Sequence, residues 1–296
     1  MKAFVTGGAG FIGSHVAELL LKEGWEVVVF DNLSTGKEEN IPRGAEFIKG
    51  DITDFVSLAD ATENIDVIFH LAALLQIQLS VEEPLITHAH NVDGTINVFE
   101  AARKNKVSRV IFSSSCAVYG DQSAMPLVED MNPFPLSPYA LHKYIGELYA
   151  RLYGELYGLT IVPLRYFNVY GPRQNPTGSY AGAIAKFISL KKGNKPYVIF
   201  GDGSQSRDFV HVSDVARANF QAATSEKVKN ADSINICTHT ETDILKIAKL
   251  IGGQYSHAPG RPGEMQRAVG SYEKAKKLLD WEPTISIEDG IASLLS

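Results

Sequence analysis

Two cysteines, Cys116 and Cys237, are all that the 296 residues contain. So few exclude a disulfide framework and fit a reducing cytosol. Long apolar runs are missing too: none approaches the roughly 18 residues that a bilayer span requires. The opening residues, MKAFVTGG, enter a strand-like run at once, which leaves no room for a signal peptide. There is no basic excess, since 28 Lys and Arg face 34 Asp and Glu for a net charge of −6. Neither nucleic acid nor an anionic membrane is therefore expected as a partner. A few local arginines would still suffice to bind an anionic small ligand. Internal repeats, low-complexity tracts and flexible linkers are absent as well. The expectation is a cytoplasmic protein of one large domain or two closely joined ones, with a sizeable core.

What is present is an alternation of strand and helix. KAFVT (2–6), EVVVF (26–30), AEFIK (45–49), DVIFH (66–70), RVIFSS (109–114) and TIVPLRYF (160–167) read as strands. Helical spacing covers 11–22, with Gly24 as its stop, and stretches near 54–62, 84–104 and 138–157. This rhythm predicts an α/β fold with a doubly wound parallel sheet. After residue 167 it loosens. NVYGPRQNPTGS (168–179) reads as a loop, followed by a helix through Lys192 and a strand at 197–200. GDGSQSRDFVHV begins as a loop, and a helix is expected after Ser213 as N-cap. A further helix follows Thr242, and short amphipathic segments complete the chain as a smaller C-terminal α/β part.

VTGGAGFIGSH sets Gly7, Gly10 and Gly13 between the first strand and the first helix. Such a turn lets the backbone approach a pyrophosphate, whose charge suits the N–H groups of the helix start around Phe11 and Ile12. Asp31 ends the second strand, with Asn32 beside it. A carboxylate there accepts hydrogen bonds from ribose hydroxyls and repels a 2′-phosphate, which favours NAD over NADP.

The spacing G-x-x-G-x-x-G resembles the extended short-chain dehydrogenase/reductase family. The likeness continues in GDITD (50–54), in HLAA (70–73) and in HNVDGT, and it covers nearly the whole chain. It implies a Rossmann-like fold, adenine contacts from Asp51 and Ile52, a nicotinamide-side segment Leu71, Ala72 and Ala73, and a structural role for Asn91. Ile52 and Leu71 are equally explained as core. The implied division of labour is NAD binding by 1–167 and about 207–230, and nucleotide-sugar binding by 168–206 and 231–296.

SPYALHKYIGELYA (137–150) holds Tyr139 and Lys143 at i and i+4, on one helical face. With 12 tyrosines in the chain, about one such pair arises by chance. A second pair, Tyr272 and Lys276, reads as a surface helix. In the family that this chain resembles, Tyr139 and Lys143 would join Ser115, the last of three serines in FSSSCAVYG, as a catalytic triad. A phenol has a pKa of ~10 and must fall by ~3 units, about 4 kcal/mol, to act as a base near neutrality. A nearby ammonium and a positively charged nicotinamide both favour phenolate. Tyr144, Ile145, Leu148, Tyr149, Leu152 and Tyr153 show the spacing of a buried stripe. By the same resemblance they would form a homodimer seam with the helix at 84–104.

Beside Ser115 stand Cys116 and Ala117, where related dehydratases carry Asp and Glu. Elimination needs an acid and a base there, so SSSCAVYG is closer to 4-epimerases of UDP-hexoses. That resemblance implies diphosphate contacts from Asn168, Arg207 and Arg261, a ribose contact from Glu264 and a uracil pocket at Val198 and Phe200. Ala268 falls where many UDP-glucose epimerases have tyrosine, and a small residue should admit N-acetyl sugars. Leu75 falls where some relatives have lysine. Competing expectations are a UDP-glucuronate 4-epimerase, a net-redox nucleotide-sugar reductase and a non-catalytic NAD-binding sensor. A metal at His88 and His90 is disfavoured, because i and i+2 diverge on a helix. Cys116 as nucleophile lacks a histidine partner.

Overall fold

The computed structural model describes residues 1–177, 182–260 and 266–296. The chain opens with β1 (Lys2–Thr6), α1 (Phe11–Lys22), β2 (Glu26–Asp31), β3 (Glu46–Lys49), α2 (Phe55–Ala61) and β4 (Val67–His70). Short helices α3 (Ile77–Glu82) and α4 (Pro84–His88) lead through a wide π turn, Ala89–Asp93, into α5 (Gly94–Lys104). Next come β5 (Arg109–Ser115), α6 (Pro138–Tyr157), β6 (Thr160–Tyr166), β7 (Asn168–Tyr170), α7 (Ala183–Lys192) and β8 (Tyr197–Phe200). The remainder is β9 (Ser206–His211), α8 (Val212–Thr224), β10 (Ile234–Ile236), β11 (Glu241–Asp243), α9 (Ile244–Ile251), β12 (Tyr255–Ala258), α10 (Glu273–Leu279) and α11 (Ile287–Leu295).

Seven strands form one sheet in the order β10-β6-β5-β4-β1-β2-β3, and every pairing is parallel. Strands of such a sheet are buried on both faces, which is why they read as continuous apolar runs. Ala3, Val5, Val27, Val29, Val67 and Phe69 pack beneath α1, α8 and α10. Phe4, Val28, Phe30, Ile68, Val110 and Phe112 pack beneath α2, α5 and α6. The expected doubly wound architecture is present. Strand order reverses between β1 and β4, which opens a crevice at their carboxyl ends.

A third core joins Tyr170, Tyr197, Ile199 and Phe209 to α7, α9 and α11. It is flanked by a three-stranded sheet, β11-β9-β7, and a parallel pair, β12-β8. Here the chain departs from expectation in several places. The loop predicted from 168 contains β7, and the loop predicted before Ser213 contains β9. Both strands carry polar residues that weaken their strand signal. The N-cap of α8 is His211, whose side chain accepts from the Ser213 N–H. Ile234–Ile236, expected with the sugar-binding part, is instead the edge strand of the main sheet against β6. The stripe on α6 is not wholly core: Tyr153 is buried, but Leu148 and Leu152 are exposed. Tyr272 packs edge-on against Trp281 just ahead of α10, and Lys276 pairs with Glu282. Among the described residues no helix is long and apolar enough to cross a membrane.

Candidate active site

The glycine turn sits at the crevice. Gly7 has φ +70°, and a Cβ there would lie 2.7 Å from the Ala72 backbone nitrogen. The loops after β1 and β4 therefore approach at van der Waals limits, which only glycine permits. A Cβ on Gly13 would run into the Gly7 carbonyl, so α1 starts hard against the turn. Gly10 is its N-cap and contributes no side-chain cap, which leaves the first-turn N–H groups of Phe11 and Ile12 without one. Asp31 is buried at the end of β2, where it accepts from the N–H groups of Ala9 at 3.0 Å and Leu33 at 2.8 Å. A tight cradle with a carboxylate at its far side fits a dinucleotide. Asn32 donates to Asp51 at 2.7 Å, and Asp51 also accepts from Thr53. Ile52 is buried.

The segment Leu71, Ala72, Ala73 is held by a buried polar chain that the sequence did not disclose. Thr95 donates to the Asn91 carbonyl at 2.7 Å, so its oxygen accepts from His70 Nε2 at 3.0 Å. His70 Nδ1 then accepts from Thr6 at 2.8 Å, and Thr6 accepts from the Ala72 N–H. Burial, with the charge of Lys143 as a smaller cause, pushes the His70 pKa down to about 3. A neutral ring is what these bonds require. The Asn91 side chain, in the π turn, pairs with both backbone groups of Leu74 at 2.8 and 2.9 Å.

Helix α6 starts where its sequence says it should. Ser137 caps it through the Ala140 N–H, Pro138 takes the first position, and Gly158 closes it with φ +71°. Tyr139 thereby falls in the first turn, its N–H donating to the buried Ser80 hydroxyl at 3.1 Å. Its phenol lies near enough to Ser115, at the carboxyl end of β5, for that hydroxyl to favour the phenolate. Lys143, one turn on, donates to the Ser113 carbonyl at 2.7 Å and lies 6.0 Å from the centre of the Tyr139 ring. All three predicted triad members are thus together. Their protonation differs from expectation. Burial pushes the Tyr139 phenol up to about 12, against the opposing influence of Ser115. Burial alone brings Lys143 down to about 7. The ammonium is desolvated and turned toward a carbonyl, so the chain by itself does not supply the expected drop in the phenol.

The predicted sugar-nucleotide residues gather on the neighbouring elements. Ser115 is the register partner of Tyr166, and Asn168 two residues on is the partner of Phe209 in β9. Arg207 lies on that strand, close enough for its charge to act on the Cys116 thiol. The Ser206 N–H donates to the Gln266 carbonyl, and Asp208 accepts from the Gly270 N–H. These two bonds tie the segment that carries Ala268, itself buried, to β9 on either side of Arg207. On β8, Tyr197 and Ile199 enter the core while Val198 and Phe200 take the other face, Val198 being exposed. Arg261 and Glu264 lie outside the described residues. Burial pushes the Cys116 thiol up to about 12, which favours the protonated form over the nucleophilic thiolate. Among the described residues no cluster suits a metal. His88 faces His142, whereas His90 lies 3.8 Å from Asp51.

With this geometry established, the relatives are informative. Residues 3–237 match the model of the NAD dependent epimerase/dehydratase family. A UDP-glucose 4-epimerase of Mycolicibacterium smegmatis is 38% identical, covering 99% of this chain and 96% of its own length. The UDP-N-acetylglucosamine 4-epimerase of Methanobrevibacter ruminantium, solved in complex with UDP-N-acetylmuramic acid, is 38% identical with a TM-score of 0.92. That match covers 99% of this chain and 95% of the other. The UDP-glucuronic acid 4-epimerase of Bacillus cereus, solved with UDP-glucuronic acid and NAD, is 34% identical with a TM-score of 0.91. It is matched over 98% of its length and 100% of this chain. From the match across most of its length, the chain belongs to the NAD-dependent epimerase/dehydratase family.

Proposed function

We propose that the chain inverts C4 of UDP-hexoses, interconverting UDP-glucose with UDP-galactose and also the corresponding N-acetyl sugars. The observation that carries this reading is the meeting of Tyr139, Ser115 and Lys143 beside the glycine turn, with Cys116 and Ala117 in place of dehydratase carboxyls. Residues 1–167 and about 207–230 would hold NAD, through the first-turn N–H groups of α1, Asp31, the Asp51–Ile52 pair and the segment at 71–73. Bound NAD supplies a hydride acceptor and a positive charge that favours phenolate. Tyr139 takes the proton of the C4 hydroxyl and returns it after the resulting 4-keto sugar has turned over. Ser115 hydrogen-bonds the same oxygen in both directions. Lys143 leaves the Ser113 carbonyl to hold the nicotinamide ribose.

Asn168, Arg207 and Arg261 anchor the diphosphate by charge-assisted bonds, Glu264 takes the uridine ribose, and Val198 and Phe200 flank the uracil. Anchoring the nucleotide alone leaves the sugar free to rotate. Ala268 beside Arg207 keeps the pocket open for an acetamido group. Exposed Leu85, Ile86, Leu148, Leu152 and Leu156 on α4 and α6 form the seam of a homodimer. Because one relative acts on UDP-glucuronic acid, that sugar is the rival substrate.

Rates with UDP-glucose, UDP-galactose, both N-acetyl counterparts and UDP-glucuronic acid, measured side by side, test the reading. Comparable turnover of the first four is expected. Turnover of the uronate alone would replace this substrate assignment, and full activity in Tyr139→Phe would refute the mechanism.

A further inference from the structure

Tyr139, Lys143 and Glu147 recur at steps of four on α6 and so lie along one stripe. Each member meets one of the three consecutive serines that end β5. Tyr139 faces Ser115 closely enough for that hydroxyl to act on its phenol, Lys143 bonds the Ser113 carbonyl, and Glu147 accepts from the Ser114 hydroxyl at 2.6 Å. Glu147 also receives a two-pronged contact from Arg165, Nε at 2.9 Å and Nη2 at 2.7 Å, with Ser233 completing the carboxylate at 3.1 Å. Both side chains are 5% exposed. Arg165 is the register partner of Ser114 across the β5–β6 pairing, and its guanidinium lies over the Tyr119 ring at 4.8 Å.

A buried ion pair of this kind is not explained by stability, because well-packed apolar side chains of similar volume hold a helix to a sheet at least as firmly. What an apolar contact lacks is direction. The fork of Arg165 and the hydroxyl of Ser114 fix both the rotation of α6 and its position along β5. Tyr139 stands two turns from this anchor on the same rigid helix, about 12 Å away along its axis. We infer that Glu147, Arg165 and Ser114 are positioning residues that set the register of α6 on β5, and with it the contact between Tyr139 and Ser115. None of the three is placed at the substrate. Displacement of a reacting group by about 1 Å costs roughly 100-fold in rate, so the anchor acts on turnover and not on binding.

This rests on Tyr139 as the base, so Tyr139→Phe is measured beside the test variants in NAD-loaded enzyme. Ser114→Ala removes the hydroxyl and leaves the ion pair in place. The double variant Glu147→Met/Arg165→Met removes the anchor without stranding a buried charge. The expected result is an unchanged melting temperature and NAD content, KM for the UDP-sugar within about twofold, and kcat down about tenfold for Ser114→Ala and about 100-fold for the double variant. The acid limb of the kcat profile should also move to higher pH, because a loosened Ser115 contact favours phenolate less. Parental kcat with an unmoved profile in a folded variant, while Tyr139→Phe is dead, overturns the positioning role alone. An active Tyr139→Phe overturns both readings. If the double variant does not fold, Ser114→Ala decides.

Discussion

Replacing Lys143 with methionine should stabilise the NAD-free chain at neutral pH while it abolishes turnover. Lys143 is buried and its pKa falls from 10.5 to about 7. The unfolded chain therefore binds the extra proton over that whole window and the folded chain does not. Stability of the parent must rise with pH between about 7 and 10.5, and must level off below 7 where both states are protonated. In the fully protonated state the fall corresponds to about 4–5 kcal/mol of destabilisation. Methionine removes that cost but leaves the Ser113 carbonyl without its donor, which costs about 1–2 kcal/mol. The variant should lead the parent by about 2–4 kcal/mol at pH 7. That lead should shrink by about 1.4 kcal/mol per pH unit and vanish before pH 10.5. Urea unfolding at pH 7, 8, 9 and 10 measures it. A difference that stays flat across this range, or a variant less stable than the parent at pH 7, refutes the reasoning.

Gly13→Ala should weaken NAD binding by roughly 10–100-fold, since the new methyl drives α1 off the Gly7 carbonyl; NAD titration by fluorescence reads it. Asp31→Asn should narrow the preference for NAD over NADP by about tenfold or more in the same titration, because it removes the charge that repels a 2′-phosphate. Ala268→Tyr should depress turnover of the N-acetyl sugars at least tenfold relative to UDP-glucose, by filling the space beside Arg207.

Strands β1 to β6 are legible in the sequence because a parallel sheet covered on both faces demands unbroken apolar runs. β10 is not, since it has three residues and its middle one, Asn235, is polar. Asn235 is tolerated there because it accepts from the buried Tyr119 hydroxyl and donates to the Leu127 carbonyl. β9 hides for a related reason. Ser206 serves the segments at 241 and 266, and Asp208 those at 238 and 270, so the strand does not alternate like a half-buried one. The helix start at Ser137–Pro138 and the pairing of Tyr139 with Lys143 are local and can be read directly. Their partners are not local. Ser80 lies 59 residues before Tyr139, and Arg165 lies 18 after Glu147. Only the folded chain shows that His70 and Thr6 tie the two crevice loops together. The exposure of Leu148 and Leu152 is equally hidden, because helical spacing describes an apolar face without saying what covers it.

In the proposed epimerisation hydrogen leaves C4 and returns to C4 without entering solvent. UDP-galactose carrying deuterium at C4, converted by the purified enzyme in ordinary water, tests it most directly. The expected product is UDP-glucose with the deuterium retained at C4, with no accumulation of NADH. Loss of the label to water, or NADH formed in step with product, would contradict it.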